Sequence, residues 1–253
     1  MAARLELVGV SKRFGSTDAI EAVDLSVGAG EVVTLLGPSG SGKTTLLRIA
    51  GGLEHPSTGT VTIDGLPPGS ARGAKRIGLV PQSPALLPWR TVRANARLLL
   101  DVNRRANPST GPDPVQLLEH VGLGEFLDAR PHELSGGMQQ RVALVRAFAL
   151  GAPMLLMDEP FAALDEITRA DMRHLLGELC EATSASVLFV THSLAEAVFL
   201  SDRVAVLSAR PGRVVDTVTI DLPRPRHAAL EDDPRFFAHE TELRRLLRDG
   251  AGR

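Results

Sequence analysis

The chain has 253 residues, 43% of them apolar and 23% charged, a composition that fits a folded domain and excludes long disordered tracts. Its formal net charge of -2 provides no global basic field, so no nucleic-acid partner is expected. The single cysteine, Cys180, allows neither an internal disulfide nor a thiolate zinc cage. No apolar run reaches the roughly 18 residues of a membrane span, and the first ten residues lack the apolar stretch of an export signal.

In chain order, residues 4–10 and 23–27 alternate apolar and polar, the period of a strand with one buried face. Residues 28–30 turn the chain into 31–36, an almost unbroken apolar run expected of a strand buried on both faces. A glycine-rich loop and a helix over 43–50 follow, then short strands at 59–63 and 77–80. From 91 to about 125 the pattern is helical, broken by a polar, proline-bearing surface loop at 103–114. Helices are expected at 137–150, 168–180 and 194–200, and strands at 154–157, 186–190, 203–207 and 213–220. This alternation predicts an α/β domain over 1–220 with a largely parallel core sheet. Residues 221–253 read as a linker and a charged tail, whose stripe of Phe236, Leu243 and Leu247 is expected to dock on its own domain.

The segment Gly37-Pro38-Ser39-Gly40-Ser41-Gly42-Lys43-Thr44 fits the P-loop pattern in full and lies between a buried strand and a helix. Glycines let the backbone wrap closely around anionic oxygens, and the helix start adds partial positive charge. Only Lys12, Lys43 and Lys75 are lysines among the 28 basic residues. Lys43 is expected to reach the β- and γ-phosphates, Thr44 to offer its hydroxyl to Mg²⁺, and Thr45 to face the α-phosphate. A second metal anchor is expected where the apolar run ending at Met157 meets Asp158 and Glu159. Asp158 suits the Mg²⁺ shell. Glu159 suits a general base or a group that orients the attacking water. Successive strand residues point to opposite faces, so the strand must end here for both acids to serve one site. Guanine reading through Asn-Lys-x-Asp is excluded, because none of Asn95, Asn103 and Asn107 precedes a lysine.

The segment Leu134-Ser135-Gly136-Gly137-Met138-Gln139-Gln140-Arg141 decides the family. The sequence resembles the nucleotide-binding subunits of ATP-binding cassette (ABC) transporters from residue 4 to about 220. The resemblance implies a P-loop NTPase cassette with a RecA-like core, an antiparallel β subdomain and a helical signature subdomain at about 84–150. It implies ATP hydrolysis with ATP and Mg²⁺ bound. Phe14 would stack on adenine, and Gln82 would touch Mg²⁺ or water and sense the membrane subunit. Ser135, Gly136 and Gly137 would contact the γ-phosphate held by a second ATP-binding subunit, most simply an identical one. Asp165 would lie at the dimer seam, and His192 would contact the γ-phosphate. Taken alone, His192 also reads as a satisfied core histidine. Two positions depart from the family pattern: Met138 stands in the fifth signature place, and Ser193 replaces the acid after the histidine.

Independently of the family, Ser135-Gly136-Gly137 has the residues of a capped helix start that attracts an anion. Two anion sites serve one nucleotide if they face each other across a two-fold axis. Soluble ABC ATPases acting on DNA are disfavoured, because the span from Lys43 to Ser135 is too short for their coiled-coil or zinc insertions. Ribosomal members hold two cassettes, and this chain has one. The segment from Pro81 to Val92, with Leu86, Trp89 and Arg90, resembles the nitrate, sulfonate and taurine importers. So do Phe161-Ala162-Ala163-Leu164-Asp165 and the stretch from Asp221 to Arg226. An exporter or lipid-extraction subunit is the alternative. For the importer, the expected partners are two transmembrane permease subunits and, indirectly, a periplasmic or lipoprotein solute-binding protein. The expected place is the cytoplasmic face of the membrane. Trp89 and Leu86 either form an exposed spot for a permease helix, or Trp89 packs inside the helical subdomain.

Overall fold

Strands β1 (Leu5–Phe14) and β2 (Thr17–Val27) form an antiparallel ribbon, and β3 (Val32–Leu36) follows it. This is a computed structural model, and it describes residues 2–108 and 111–251. Of the surface break expected at 103–114, Ser109 and Thr110 lie outside the described residues, as do Met1, Gly252 and Arg253 at the ends of the two expected regions. The P-loop leads into α1 (Lys43–Ala50), β4 (Thr58–Ile63), α2 (Pro68–Gly73) and β5 (Ile77–Val80). A helical stretch contains α3 (Val92–Ala96), α4 (Leu98–Asp101), α5 (Pro114–His120) and α6 (Gly136–Phe148). The chain then alternates through β6 (Met154–Asp158), α7 (Glu166–Thr183), β7 (Ser186–Thr191), α8 (Leu194–Leu200) and β8 (Arg203–Leu207). It ends with β9 (Val214–Thr219) and α9 (Pro234–Ala251).

The strands make a small sheet in the order β2-β1-β4 and a larger one in the order β5-β6-β7-β3-β8-β9. The larger sheet is parallel from β5 to β8, as the alternation of elements predicts. Only β9 runs antiparallel, on β8. A short turn joins those two strands, and a parallel return would need a longer crossover. The small sheet is antiparallel in both pairings. These two sheets and the helices between β5 and β6 are the layers expected of the cassette fold.

Burial explains the apolar run at 31–36. Val32 and Leu36 face one core, with α6, α7 and α8, while Val33 and Leu35 face a second core under the small sheet and α1. Residues of β7 alternate in the same way, Val187 and Phe189 to the first core and Leu188 and Val190 to the second. A sheet covered on both faces has no polar side to show in its sequence.

The structure extends the expected strands. β1 and β2 run well past 4–10 and 23–27, because register shifts at several points of the ribbon break the two-residue period. Helix α2 was not anticipated. Its six residues carry a proline in the first turn and bury only Ala71, so it has no hydrophobic stripe to read.

Phe236, Leu243 and Leu246 of α9 are buried in the same core as α7 and α8, and Leu247 lies half-buried against it. The stripe therefore docks on its own domain, with Leu246 deeper than Leu247. Among the described residues no helix is long and apolar enough to cross a membrane. Since Leu243 is fully buried, Leu243→Ala is expected to cost about 2–5 kcal/mol in urea unfolding. A change within error would mean that α9 is not part of the cooperative core.

Candidate active site

The P-loop leaves the C-terminal end of β3, which lies between β7 and β8, the edge at which parallel sheets present ligand sites. Gly40 and Gly42 have φ values of +80° and +87°, which glycine adopts without strain. A Cβ on Gly42 would sit 2.9 Å from Ile20 Cγ1, so β2 closes on the back of the loop and only glycine fits there. The first N–H groups of α1 have no carbonyl partner within the helix, and Gly42 caps it without a side chain. The Ser41 hydroxyl is buried within the loop with no hydrogen-bond partner.

Ser39, Gly40, Gly42, Lys43, Thr44 and Thr45 line a cavity of about 580 Å³ together with Phe14, Gln82 and Glu159. Gly37, Pro38 and Ser41 belong to the loop but do not line the cavity. Thr17, Ala19 and Arg210 complete the lining. These three belong to no motif: Thr17 and Ala19 open β2 before its regular alternation begins, and Arg210 lies in the turn after β8, so neither place carries a periodic signal that sequence reasoning could have used.

Lys43 is 4% exposed. Its ammonium donates to the carbonyls of Gly37 at 2.8 Å and Pro38 at 2.9 Å, and lies 3.9 Å from Glu159 Oε1. Burial lowers its pKa from the ordinary lysine value, against the opposing pull of Glu159 and Asp158. Thr44 Oγ1 donates to Asp158 Oδ1 at 2.8 Å. Burial raises the Asp158 pKa; the Thr44 hydrogen bond works against this, and the Glu159 charge adds to it.

Glu159 resolves the difficulty of two adjacent acids at a strand end. Asp158 is the last residue of β6, and Glu159 takes a left-handed φ of +42°, a conformation that costs energy in a residue with a side chain. Its N–H still donates to Val190 O at 2.9 Å. This backbone turn breaks the strand alternation, so both carboxylates reach the P-loop. Glu159 Oε2 lies 3.0 Å from His192 Nδ1. His192 is 57% exposed, so it is not a core histidine. Ser193 is the N-cap of α8, its hydroxyl accepting from the Glu196 N–H at 3.4 Å, a position that serine fills well.

The other expected residues lie elsewhere. Ser135 is exposed and caps α6, its hydroxyl accepting from the Met138 N–H at 3.3 Å. Met138 itself packs against the core. Asp165 caps α7 by accepting from the Thr168 N–H at 3.0 Å and the Thr168 hydroxyl at 2.7 Å. A Cβ on Gly137 would sit 2.8 Å from Thr168 Cγ2, so the starts of α6 and α7 are pressed together. None of Ser135, Gly136, Gly137 and Asp165 lines the cavity. Among the described residues no group of three His, Cys, Asp or Glu side chains is placed to hold a metal by protein atoms alone. A divalent ion at Thr44 and Asp158 would need further oxygens from a ligand.

The sequence model of the ABC transporter family matches residues 20–162. The nitrate import ATP-binding protein of Synechocystis sp. is 41% identical, across 96% of this chain and 93% of its own length. The aliphatic sulfonates import ATP-binding protein of Xanthomonas axonopodis pv. citri is 42% identical, across 97% and 94%. The taurine import ATP-binding protein of Pseudomonas entomophila is 40% identical, across 93% of each chain. Among solved structures, a dimeric ATP-binding cassette in a post-hydrolysis state with ADP and Pi superposes with a TM-score of 0.73 and 32% identity, covering 87% of this chain and all of that one. The chain thus belongs to the ABC transporter family, as an ATP-hydrolysing cassette.

Proposed function

We propose that the chain hydrolyses Mg²⁺-bound ATP as one of two identical subunits, beneath a pair of permease subunits at the cytoplasmic face of a membrane. The cargo would be a small anionic or sulfur- or nitrogen-containing solute of the nitrate, sulfonate or taurine kind, delivered by a solute-binding protein. The observation that carries this reading is the meeting of Lys43, Thr44 and Glu159 at one cavity, with Asp158 held behind Thr44 and His192 beside Glu159, neither of which lines the cavity itself. Mg²⁺ suits the donors present, because it takes one or two protein oxygens and completes its shell with phosphate and water. Bound there, the ion would neutralise charge on the phosphates. Lys43 holds the phosphate tail, and Phe14 packs on the base. Glu159, fixed by His192, accepts a proton from or orients the attacking water, with ADP and phosphate as products. The outward-facing Ser135–Gly137 and Asp165 then serve the cavity of the second copy.

The permease side is supported by the segment after Gln82. Trp89 is 70% exposed, so it does not pack inside the helical subdomain, whereas Leu86 is half-buried against the core. Asn95 accepts from the Leu87 N–H at 2.7 Å, and its amide faces the carbonyls of Leu87, Arg90 and Thr91, each at 3.1 Å. The segment is therefore fixed while Trp89 projects. Beside it Leu79, Pro81, Ala85, Leu98, Leu99 and Val102 line a largely apolar groove of about 660 Å³, a shape that suits an amphipathic helix.

Three measurements test these assignments. Glu159→Gln is expected to bind ATP normally, lose roughly a hundredfold or more in turnover, and accumulate as an ATP-bound dimer in light scattering; full turnover would remove Glu159 from the chemistry. Trp89→Ala is expected to leave the ATPase rate of the isolated subunit unchanged and to abolish transport by the assembled complex, and unimpaired transport would refute the docking role. Cells lacking the chain are expected to lose uptake of nitrate, an alkanesulfonate or taurine, and normal uptake of all three would overturn the solute class.

A further inference from the structure

The cavity contains a cation that no motif explains. Arg210 lies in the turn between β8 and β9 and lines the cavity with the P-loop. Its Nη2 is 3.8 Å from the point that a Cβ on Gly40 would occupy. The side chain is exposed. The carboxylate that lines the cavity, Glu159, is engaged by Lys43 and His192, which leaves Arg210 without an acidic partner among the described residues.

The turn is built to hold this position. Ser208 is 2% exposed. Its N–H donates to Arg213 O at 3.0 Å, and its hydroxyl accepts from the Arg213 N–H at 3.2 Å. The same hydroxyl lies 2.9 Å from the carbonyls of Ala209 and Pro211. Gly212 donates to Ala19 O at 3.0 Å and accepts from the Glu21 N–H at 2.9 Å, which ties the turn to β2. A Cβ on Gly212 would collide with the carbonyl oxygen of Ser41, so the turn lies directly against the P-loop. On the far side the Ala209 N–H donates to Gly250 O of α9 at 3.4 Å. The residues on both sides of Arg210 are thus fastened to β2, to α9 and within the turn, which sets its backbone beside the P-loop with the guanidinium within reach of Gly40.

We propose that Arg210 is a nucleotide-binding residue that contacts the phosphate tail of ATP from the open side of the P-loop, opposite the buried Lys43. A planar guanidinium offers paired N–H donors that match phosphate oxygens. It shares no hydrogen bond with Glu159 or His192, so it contributes to holding the nucleotide and not to the chemical step. The P-loop motif supplies one ammonium, and Arg210 supplies a second charge from an element far away in sequence.

This inference rests on the reading of the cavity as the ATP site, and the experiment separates the two. The full chain is titrated with N-methylanthraniloyl-ATP and -ADP in the presence of Mg²⁺, over a range of salt concentrations. Arg210→Ala is expected to weaken both by roughly tenfold, to flatten the salt dependence, and to raise KM with kcat unchanged. Arg210→Lys is expected to recover part of the affinity. Unchanged affinity in Arg210→Ala, with binding lost in Lys43→Ala, would overturn the role of Arg210 alone. Normal binding by Lys43→Ala would overturn the reading of the cavity. If Arg210→Ala melts lower without nucleotide and Arg210→Lys restores nothing, the side chain supports its turn and the proposal falls.

Discussion

Lys43 keeps its ammonium almost out of water, held by two loop carbonyls and facing Glu159 across 3.9 Å. A buried cation is costly unless it is well paired. Here the pairing is incomplete, because Glu159 also serves His192 and Asp158 is engaged by Thr44. A polyanion entering the cavity would supply what is missing, which gives the proposed nucleotide site a physical source of affinity. The sheet order follows from the same need. P-loop, acids and histidine leave the ends of β3, β6 and β7, and only parallel strands bring three such ends to one edge. The long crossovers between those strands are the cost of that arrangement.

The helix starts at Ser135 and Asp165 show the same principle on a different face. Each is capped by its own side chain, so the cap leaves the remaining N–H groups of the first turn free for an anion. Their packing, with Gly137 against Thr168, fixes the two starts relative to each other. Ile167, 79% exposed beside them, gives that face an apolar contact as well. A face that is complete in itself yet remote from its own cavity is what a two-fold pair requires.

Chemistry was more legible in the sequence than geometry. The P-loop is contiguous because one loop must surround one phosphate tail, so eight neighbouring residues announce it. Asp158 and Glu159 were visible as a pair for one site, on the condition that the strand ended there and its alternation did not send them to opposite faces. The left-handed backbone at Glu159 is how the strand ends, and no residue type signals such a conformation in advance. Arg210 was invisible for the opposite reason. Its position depends on Gly212 approaching Ser41 and Ala19, contacts between segments far apart in the chain. The buried sheet read correctly because continuous apolar runs have few other uses. The β1–β2 ribbon read short because bulges erase the period on which the reading relies.

The segment after Gln82 joins these parts mechanically. Gln82 lines the cavity, while Pro81 and Ala85 line the apolar groove, so one short loop borders both. Arg146, 6% exposed, donates to Pro84 O at 2.7 Å and Ala85 O at 2.8 Å. Burial lowers its pKa, and the two carbonyls offset part of the cost of keeping it charged there. Arg146 sits near the end of α6, the helix that Ser135 begins. A single helix therefore carries an anion-seeking start at one end and a grip on the Trp89 segment at the other. Because its middle is buried in the core, α6 moves as a unit or not at all. If a second copy holds its nucleotide against Ser135, as proposed, that contact would reach the loop bordering the groove through one rigid helix, by way of Arg146 and its two carbonyl partners.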